Sequence, residues 1–142
     1  AVETDIPLVG CLPEIAVSTR DAREVVPESA SMEQLVETVG NAATLTVGMS
    51  RSDPELVGRG MADPLVTPAR AELITGYEAV SQAAREAGAA GVTVSGAGPS
   101  LLAVCREHHR RDVAAAMLDA FAEAGVDARA YQTRVSQGAT LL

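Results

Sequence analysis

The stretch Val92-Thr93-Val94-Ser95-Gly96-Ala97-Gly98-Pro99-Ser100-Leu101 holds the spacing in this chain most specific for chemistry. Glycines at 96 and 98 let the backbone approach a ligand or a neighbouring segment closely. Successive N–H groups in such a bend can form a concavity for an anion. A plain hairpin turn explains the same residues more simply, and both readings stand at this point. A dinucleotide site fails on context, because the third glycine is missing, Pro99 intrudes, and a strand follows where a helix should open. Other chemistry is narrow. All 11 basic residues are Arg, so no phosphate-gripping lysine, Schiff-base lysine or lysine general base can come from this chain. His108 and His109 are adjacent, diverge on a helix and lack the i, i+4 spacing of a zinc pair. With both His in one charged patch beside Arg110 and Arg111, no Ser-His-Asp constellation has support. Glu24, Glu28, Glu33 and Glu37 read as a solvated face. Cys11 and Cys105 each sit in an apolar, strand-like run and read as free buried thiols.

The elements that must position these residues follow from periodicity and punctuation. Ile6 to Leu12, bounded by prolines, predicts a strand, and Ile15 and Val17 a second extended piece. Ser18 and Thr19 before Asp21 predict a short helix that Pro27 ends. Ser31 with Gln34 is a capping-box pattern. Met32, Leu35, Val36, Val39, Ala42, Ala43 and Thr46 then recur at helical spacing, which predicts a long amphipathic helix to about Met49. Asp53-Pro54-Glu55 opens a helix to about Gly60, and Thr67-Pro68 opens one over 69–74. A helix from Tyr77 to Ala87 stops at Gly88. Strands at 92–94 and 101–105 flank the glycine turn. Val113, Met117 and Phe121 line a further helix closed by Gly125. A last strand covers 128–135, with 138–142 as an extension. This order is that of an α+β fold: a ferredoxin-like antiparallel sheet, with helices on one face and extra helices in the first crossover.

With 142 residues the chain is long enough for one hydrophobic core. Its first residues, Ala1 to Asp5, read as the middle of a longer chain, so a fragment or excised domain is expected. A net charge of −8 disfavours nucleic-acid backbones and anionic membranes as partners. Acidic excess without lysine is the composition of a salt-adapted cytoplasm. No apolar run is long enough to span a bilayer, and no signal-peptide pattern opens the sequence, so the expected compartment is the cytoplasm.

The turn Ser95-Gly96-Ala97-Gly98-Pro99-Ser100 resembles the third motif of the GHMP small-molecule kinases, a glycine-rich loop between two strands of their C-terminal domain. Val17-Ser18-Thr19-Arg20-Asp21-Ala22-Arg23 with Val26-Pro27 resembles a segment of the homoserine kinases within that superfamily. So does Asp63 with Pro68-Ala69-Arg70 and Leu73-Ile74. The resemblance spans nearly the whole chain and is least distinctive over 128–142. It implies that residues 1–142 form the C-terminal, substrate-side domain and that the N-terminal ATP-binding domain lies outside them. It implies an ATP-dependent kinase acting on the side-chain hydroxyl of L-homoserine in threonine biosynthesis. ATP and Mg²⁺ would be bound mainly by the other domain. Arg23 and Arg70 would hold the amino-acid carboxylate, with Thr19 close by, and the glycine loop Ser95 to Ser100 would lie at the active site. No catalytic residue or metal ligand is expected from this chain, and the isolated piece is expected to be inactive. The partners implied are L-homoserine and the N-terminal domain, with a homodimer also allowed. Shikimate- or mevalonate-type kinases share the loop, and a non-enzymatic amino-acid-binding module shares the sheet, so these remain alternatives. Arg suits the assigned task, since its planar donor fork matches a carboxylate in orientation as well as charge.

Overall fold

A computed structural model of the chain describes residues 4–136. Strand β1 (Pro7–Pro13) is followed by helices α1 (Asp21–Glu24), α2 (Met32–Arg51), α3 (Pro54–Gly60), α4 (Val66–Ala71) and α5 (Tyr77–Glu86). Then come β2 (Ala89–Val94), β3 (Leu101–Cys105), a single 3₁₀ turn over Glu107–His109, α6 (Arg110–Glu123) and β4 (Ala128–Arg134). The sheet order is β2-β3-β1-β4, and each neighbouring pair is antiparallel. This is the strand order of the expected ferredoxin-like pattern, with α5 and α6 as its two crossover helices and α1 to α4 inserted ahead of α5.

The pleat sorts side chains onto two faces. Val9 and Cys11 of β1, Val92 and Val94 of β2 and Leu101, Ala103 and Cys105 of β3 join one core with Tyr77, Val80 and Ala84 of α5 and Met117 and Phe121 of α6. Leu8 and Val104 belong to a second, smaller core with Ile6, Val57, Leu45 and Met49. Helices therefore flank both faces. The expectation of a single helical face holds for α5 and α6, but α3, backed by α2, packs on the opposite face against β2 and β3. Backbone contact makes this packing possible: a Cβ placed on Gly58 of α3 would stand 2.4 Å from the Ala90 carbonyl carbon and oxygen. Ala90 itself joins the second core because the β2–β3 register shifts between Ala89 and Gly91.

Caps account for several helix boundaries. Ser31 and Gln34 form the predicted capping box on α2, and Asp53 Oδ1 accepts from the Glu55 and Leu56 N–H groups at the start of α3. Gly125, at φ +74°, closes α6, with the Val126 N–H donating to the Phe121 carbonyl at 2.9 Å. Three expectations shift. Ile15 and Val17 form no strand, and the segment is held to the sheet end by Glu14 N–H donating to the Asp127 carbonyl at 2.7 Å. Helix α4 starts at Val66 rather than after Pro68, because the Asp63 carboxylate ahead of it accepts from the N–H groups of Val66 and Thr67. Strand β4 ends at Arg134, and the extension expected over 138–142 falls outside the described residues. No described helix is long and apolar enough to cross a membrane.

Candidate functional site

The glycine turn joins β2 to β3 at the sheet end where β1 leaves for α1, since Cys11 pairs with Leu101 and Val94 pairs with Leu101. Ser95 N–H donates to the Ser100 carbonyl at 2.7 Å, and Gly98 N–H donates to the Ser95 carbonyl at 3.0 Å. Gly96 and Gly98 adopt φ of +60° and +85°, the left-handed region that an L side chain strains to enter. The N–H groups of Gly96 and Ala97 have no hydrogen-bond partner among the described residues. They are the donors this loop can offer to an anionic oxygen.

Arg70 connects the loop to the rest of the site. Its Nη1 donates to the Gly96 carbonyl at 2.6 Å, and its Nε donates to the Ala22 carbonyl of α1 at 3.1 Å. One guanidinium thus gathers three stretches far apart in the chain. Three of its five N–H donors make no bond among the described residues and can serve a ligand. Arg23 follows Ala22 directly. It is exposed and forms no ion pair or hydrogen bond among the described residues, whereas its neighbour Arg20 is paired with Glu24 at 2.8 Å. Thr19 lies in the turn before α1 and is exposed. Ser18, not Thr19, starts that helix: its Oγ accepts from the Asp21 N–H at 3.0 Å. The structure therefore brings Arg70, the glycine loop and the α1 backbone together, and leaves Arg23 and Thr19 on the adjoining open surface.

Asp63 and Thr67 fix α4, and with it Arg70. The Asp63 carboxylate accepts from the N–H groups of Leu65, Val66 and Thr67 and from Thr67 Oγ1, and Thr67 Oγ1 in turn lies 3.0 Å from Thr93 Oγ1 on β2. Burial pushes the Asp63 carboxyl up, but the hydrogen bonds from Leu65, Val66 and Thr67 outweigh it and hold the group below the ordinary aspartate range. Asp63→Ala is expected to cost about 1 kcal/mol at neutral pH, the usual worth of a helix cap. Because the folded-state pKa is depressed, this contribution is present above the unfolded-state pKa of about 3.9 and fades as pH falls through the lower folded value. Urea midpoints of the two proteins, measured from pH 7 downward, should converge below about pH 4. The role of Asp63 as a cap had a readable signal, since an acid followed by a proline precedes the helix. The Thr67–Thr93 and Arg70–carbonyl contacts had none.

A cavity of about 330 Å³ lies beside this site, between α4, α5 and β2, and is lined by Asp63, Thr67, Tyr77, Ser81 and Arg85 among others. It includes neither Thr19, Arg23, Arg70 nor any residue of the glycine loop. The two cysteines are buried and free, and burial pushes the Cys11 thiol up to about 11, which makes it a poor nucleophile. The His109 ring covers Gly88 at the opposite end of the sheet, and no cluster of three or more metal-ligating side chains occurs among the described residues.

The whole chain aligns with a homoserine kinase of Halorubrum lacusprofundi at 71% identity over 142 residues, covering 48% of that protein. It aligns with a homoserine kinase of Methanocella arvoryzae at 42% identity over 95% of the chain and 45% of that protein. The chain thus spans about half the length of the curated relatives it matches. Among solved structures, a homoserine kinase from Cytophaga hutchinsonii superposes with a TM-score of 0.89 at 34% identity, over 96% of this chain and 44% of that one. The L. major mevalonate kinase shares the fold, with a TM-score of 0.67 at 17% identity over 94% of this chain and 43% of that one. The model describing the C-terminal region of GHMP kinases matches residues 45–124, which run from the middle of α2 through the glycine loop to the end of α6. With the fold, the loop and more than half of the sequence in agreement, this chain belongs to the GHMP kinase C-terminal family.

Proposed function

We propose that the chain is the substrate-side domain of an ATP-dependent homoserine kinase. In the full-length protein it holds the amino-acid end of L-homoserine while the side-chain hydroxyl receives a phosphoryl group. One observation carries the reading: the Arg70 guanidinium sits where α1 and the glycine loop meet and keeps donors to spare. Relatives that share up to 71% of its residues are named homoserine kinases. Arg23 and Arg70 supply charge and planar donor geometry for the carboxylate, and Thr19 adds a hydroxyl at the rim. With the carboxylate fixed, the hydroxyl three bonds from Cα has a defined reach. Phosphoryl transfer can depend chiefly on such positioning.

ATP, when bound, supplies the phosphoryl group. The unpaired N–H groups of Gly96 and Ala97 fit a phosphate oxygen, so the loop is suited to line that side of the pocket. No cluster of carboxylates suited to Mg²⁺ stands among the described residues, and the metal is assigned to the other half of the protein. Threonine biosynthesis, a cytoplasmic location and a homodimer belong to the same proposal.

Arg23→Ala tests it. In the full-length enzyme, KM for L-homoserine should rise about 10- to 100-fold, the cost of one or two bonds to a charged group. The KM for ATP and kcat should hold within about threefold. A substrate panel should rank L-homoserine above shikimate and mevalonate. Unchanged homoserine kinetics in the variant would reject the assignment.

A further inference from the structure

Helix α4 carries Arg70, yet little apolar packing locks the helix in place. It has 6 residues, too few to be stable by itself, and none of them is buried. Of these, Ala71 is the one that packs on the first core, and it is only partly covered. The aim of Arg70 then rests chiefly on polar contacts. Two of them tie α4 to the end of β2 and its turn, like rungs of a ladder. Thr67 Oγ1 lies 3.0 Å from Thr93 Oγ1, and Arg70 Nη1 donates to the Gly96 carbonyl at 2.6 Å, so each rung joins residues 26 apart in the chain. Thr67 and Arg70 are i, i+3 neighbours on one helix face. Thr93 stands on the face of β2 opposite Val92 and Val94, which enter the first core.

Hydrogen counting gives the direction of the threonine rung. A hydroxyl has one hydrogen to donate. Thr67 spends its hydrogen on Asp63 Oδ2 at 3.1 Å, and the Asp63 carboxylate acts only as an acceptor, taking the N–H groups of Leu65, Val66 and Thr67 as well. Thr67 Oγ1 is left to accept, so the donor across the 3.0 Å contact is Thr93. The two hydroxyls then point one way, from Thr93 to Thr67 to the carboxylate, and each bond polarises the next. We propose that Thr93 is a positioning residue: by donating to Thr67 it fixes the roll of α4 and so aims the spare donors of Arg70 at the carboxylate of the amino-acid substrate. This rests on the reading of the chain as the substrate-side domain of a homoserine kinase.

One rung alone does not hold this aim. With the Thr93 bond gone, the long Arg70 side chain could keep hold of Gly96 while the helix turned beneath it. The remaining donors would then leave the plane in which a carboxylate accepts two parallel bonds. A misplacement of about 1 Å can cost about 100-fold in rate. Thr93 is engaged with Thr67 and works through Arg70 rather than on the substrate. A hydroxyl that merely steadied the fold would cost the same whether or not Arg70 is present.

The experiment uses the full-length protein. Thr93→Val keeps the shape of the side chain and removes the donor. It should lower kcat/KM for L-homoserine about 10-fold, with KM for ATP within about twofold. In an Arg70→Ala background the same change should cost less than about twofold, because the group it aims is gone. Thr93→Ser, which keeps the donor, should recover at least about half of the natural value. Thr67→Val breaks the same rung from the other side, so adding Thr93→Val to it should cost nothing further. One readout needs no substrate. The Arg70 Nε–H, bonded to the Ala22 carbonyl, should exchange with solvent about 10-fold faster in Thr93→Val than in the natural protein, its NMR signal being identified by its loss in Arg70→Lys. Faster exchange in an enzyme that ignores L-homoserine would overturn the kinase reading and not the contact. Equal losses with and without Arg70, a serine variant as poor as the valine one, or unchanged exchange would each overturn the proposal.

Discussion

Arg70→Ala in the full-length protein is expected to lower kcat/KM for L-homoserine about 100-fold or more, while KM for ATP moves by less than about threefold. Two effects combine. On the proposed function, the substrate carboxylate would lose a charge-assisted partner, and the carbonyls of Ala22 and Gly96 lose the donor that holds α1 against the glycine loop. Bonds from a charged donor are worth about 1.5–3 kcal/mol each, and about 1.4 kcal/mol is a factor of ten. The signature that separates Arg70 from Arg23 is kcat. Arg23 is expected to act on binding alone. Arg70 also fixes the loop, so kcat should fall together with kcat/KM. Arg70→Lys should recover only part of the loss, because an ammonium is a point charge and cannot span two carbonyls in the plane of a guanidinium. Circular dichroism should show the fold intact in all variants. If Arg70→Ala retains its kcat, the guanidinium is not what positions the loop.

Gly58→Ala is expected to destabilise the protein by about 3 kcal/mol, at the upper end of what overpacking costs. The added methyl would stand 2.4 Å from the Ala90 carbonyl carbon and oxygen, and a Cβ at Gly91 would stand 2.5 Å from the Gly58 carbonyl oxygen. Backbone lies on both sides of this contact, so no side chain can rotate away. Either α3 lifts from β2, exposing Val57 and Ala90, or the strand bends. Gly10→Ala is the control. A Cβ there meets nothing within 4 Å, and the substitution removes only unfolded-state freedom, so it should be neutral or stabilising by under about 1 kcal/mol. Urea midpoints of the two variants and the natural protein give the comparison. Similar midpoints for Gly58→Ala and Gly10→Ala would mean that α3 is free to shift on the sheet.

Most elements were readable because their signals are local. The capping box at Ser31, the Asp53-Pro54 start, the Gly125 stop and the alternation around the glycine turn each involve residues within a few positions of one another. The glycine turn also carried its own context, a strand on either side. The α4 boundary was misread because Pro68 drew the start to itself, while the carboxylate of Asp63 had already taken the first N–H groups three residues upstream. The extended piece at Ile15 and Val17 failed because its one firm link to the sheet, at Glu14, is made to Asp127, outside the strands.

The stripe on α2 shows where periodicity runs out. Helical spacing correctly announced an amphipathic helix, but the apolar face it announced is exposed, and the face that packs on α3 is built from Leu45, Gly48 and Met49. A sequence can show that one side of a helix is apolar. It cannot show what covers that side.

What the sequence by itself determined is the order of the elements, the ferredoxin-like arrangement of the strands and the bend at Gly96 and Gly98, because caps, alternation and backbone freedom are properties of neighbouring residues. Only the tertiary structure decided that Arg70 binds two carbonyls, one 48 residues and one 26 residues away in the chain, and that α3 sits on the second face of the sheet. Those contacts form between segments whose distance in sequence carries no information about their distance in space. They exist because Gly58 and Gly91 let two backbones touch, and because one planar guanidinium can satisfy two carbonyls at once.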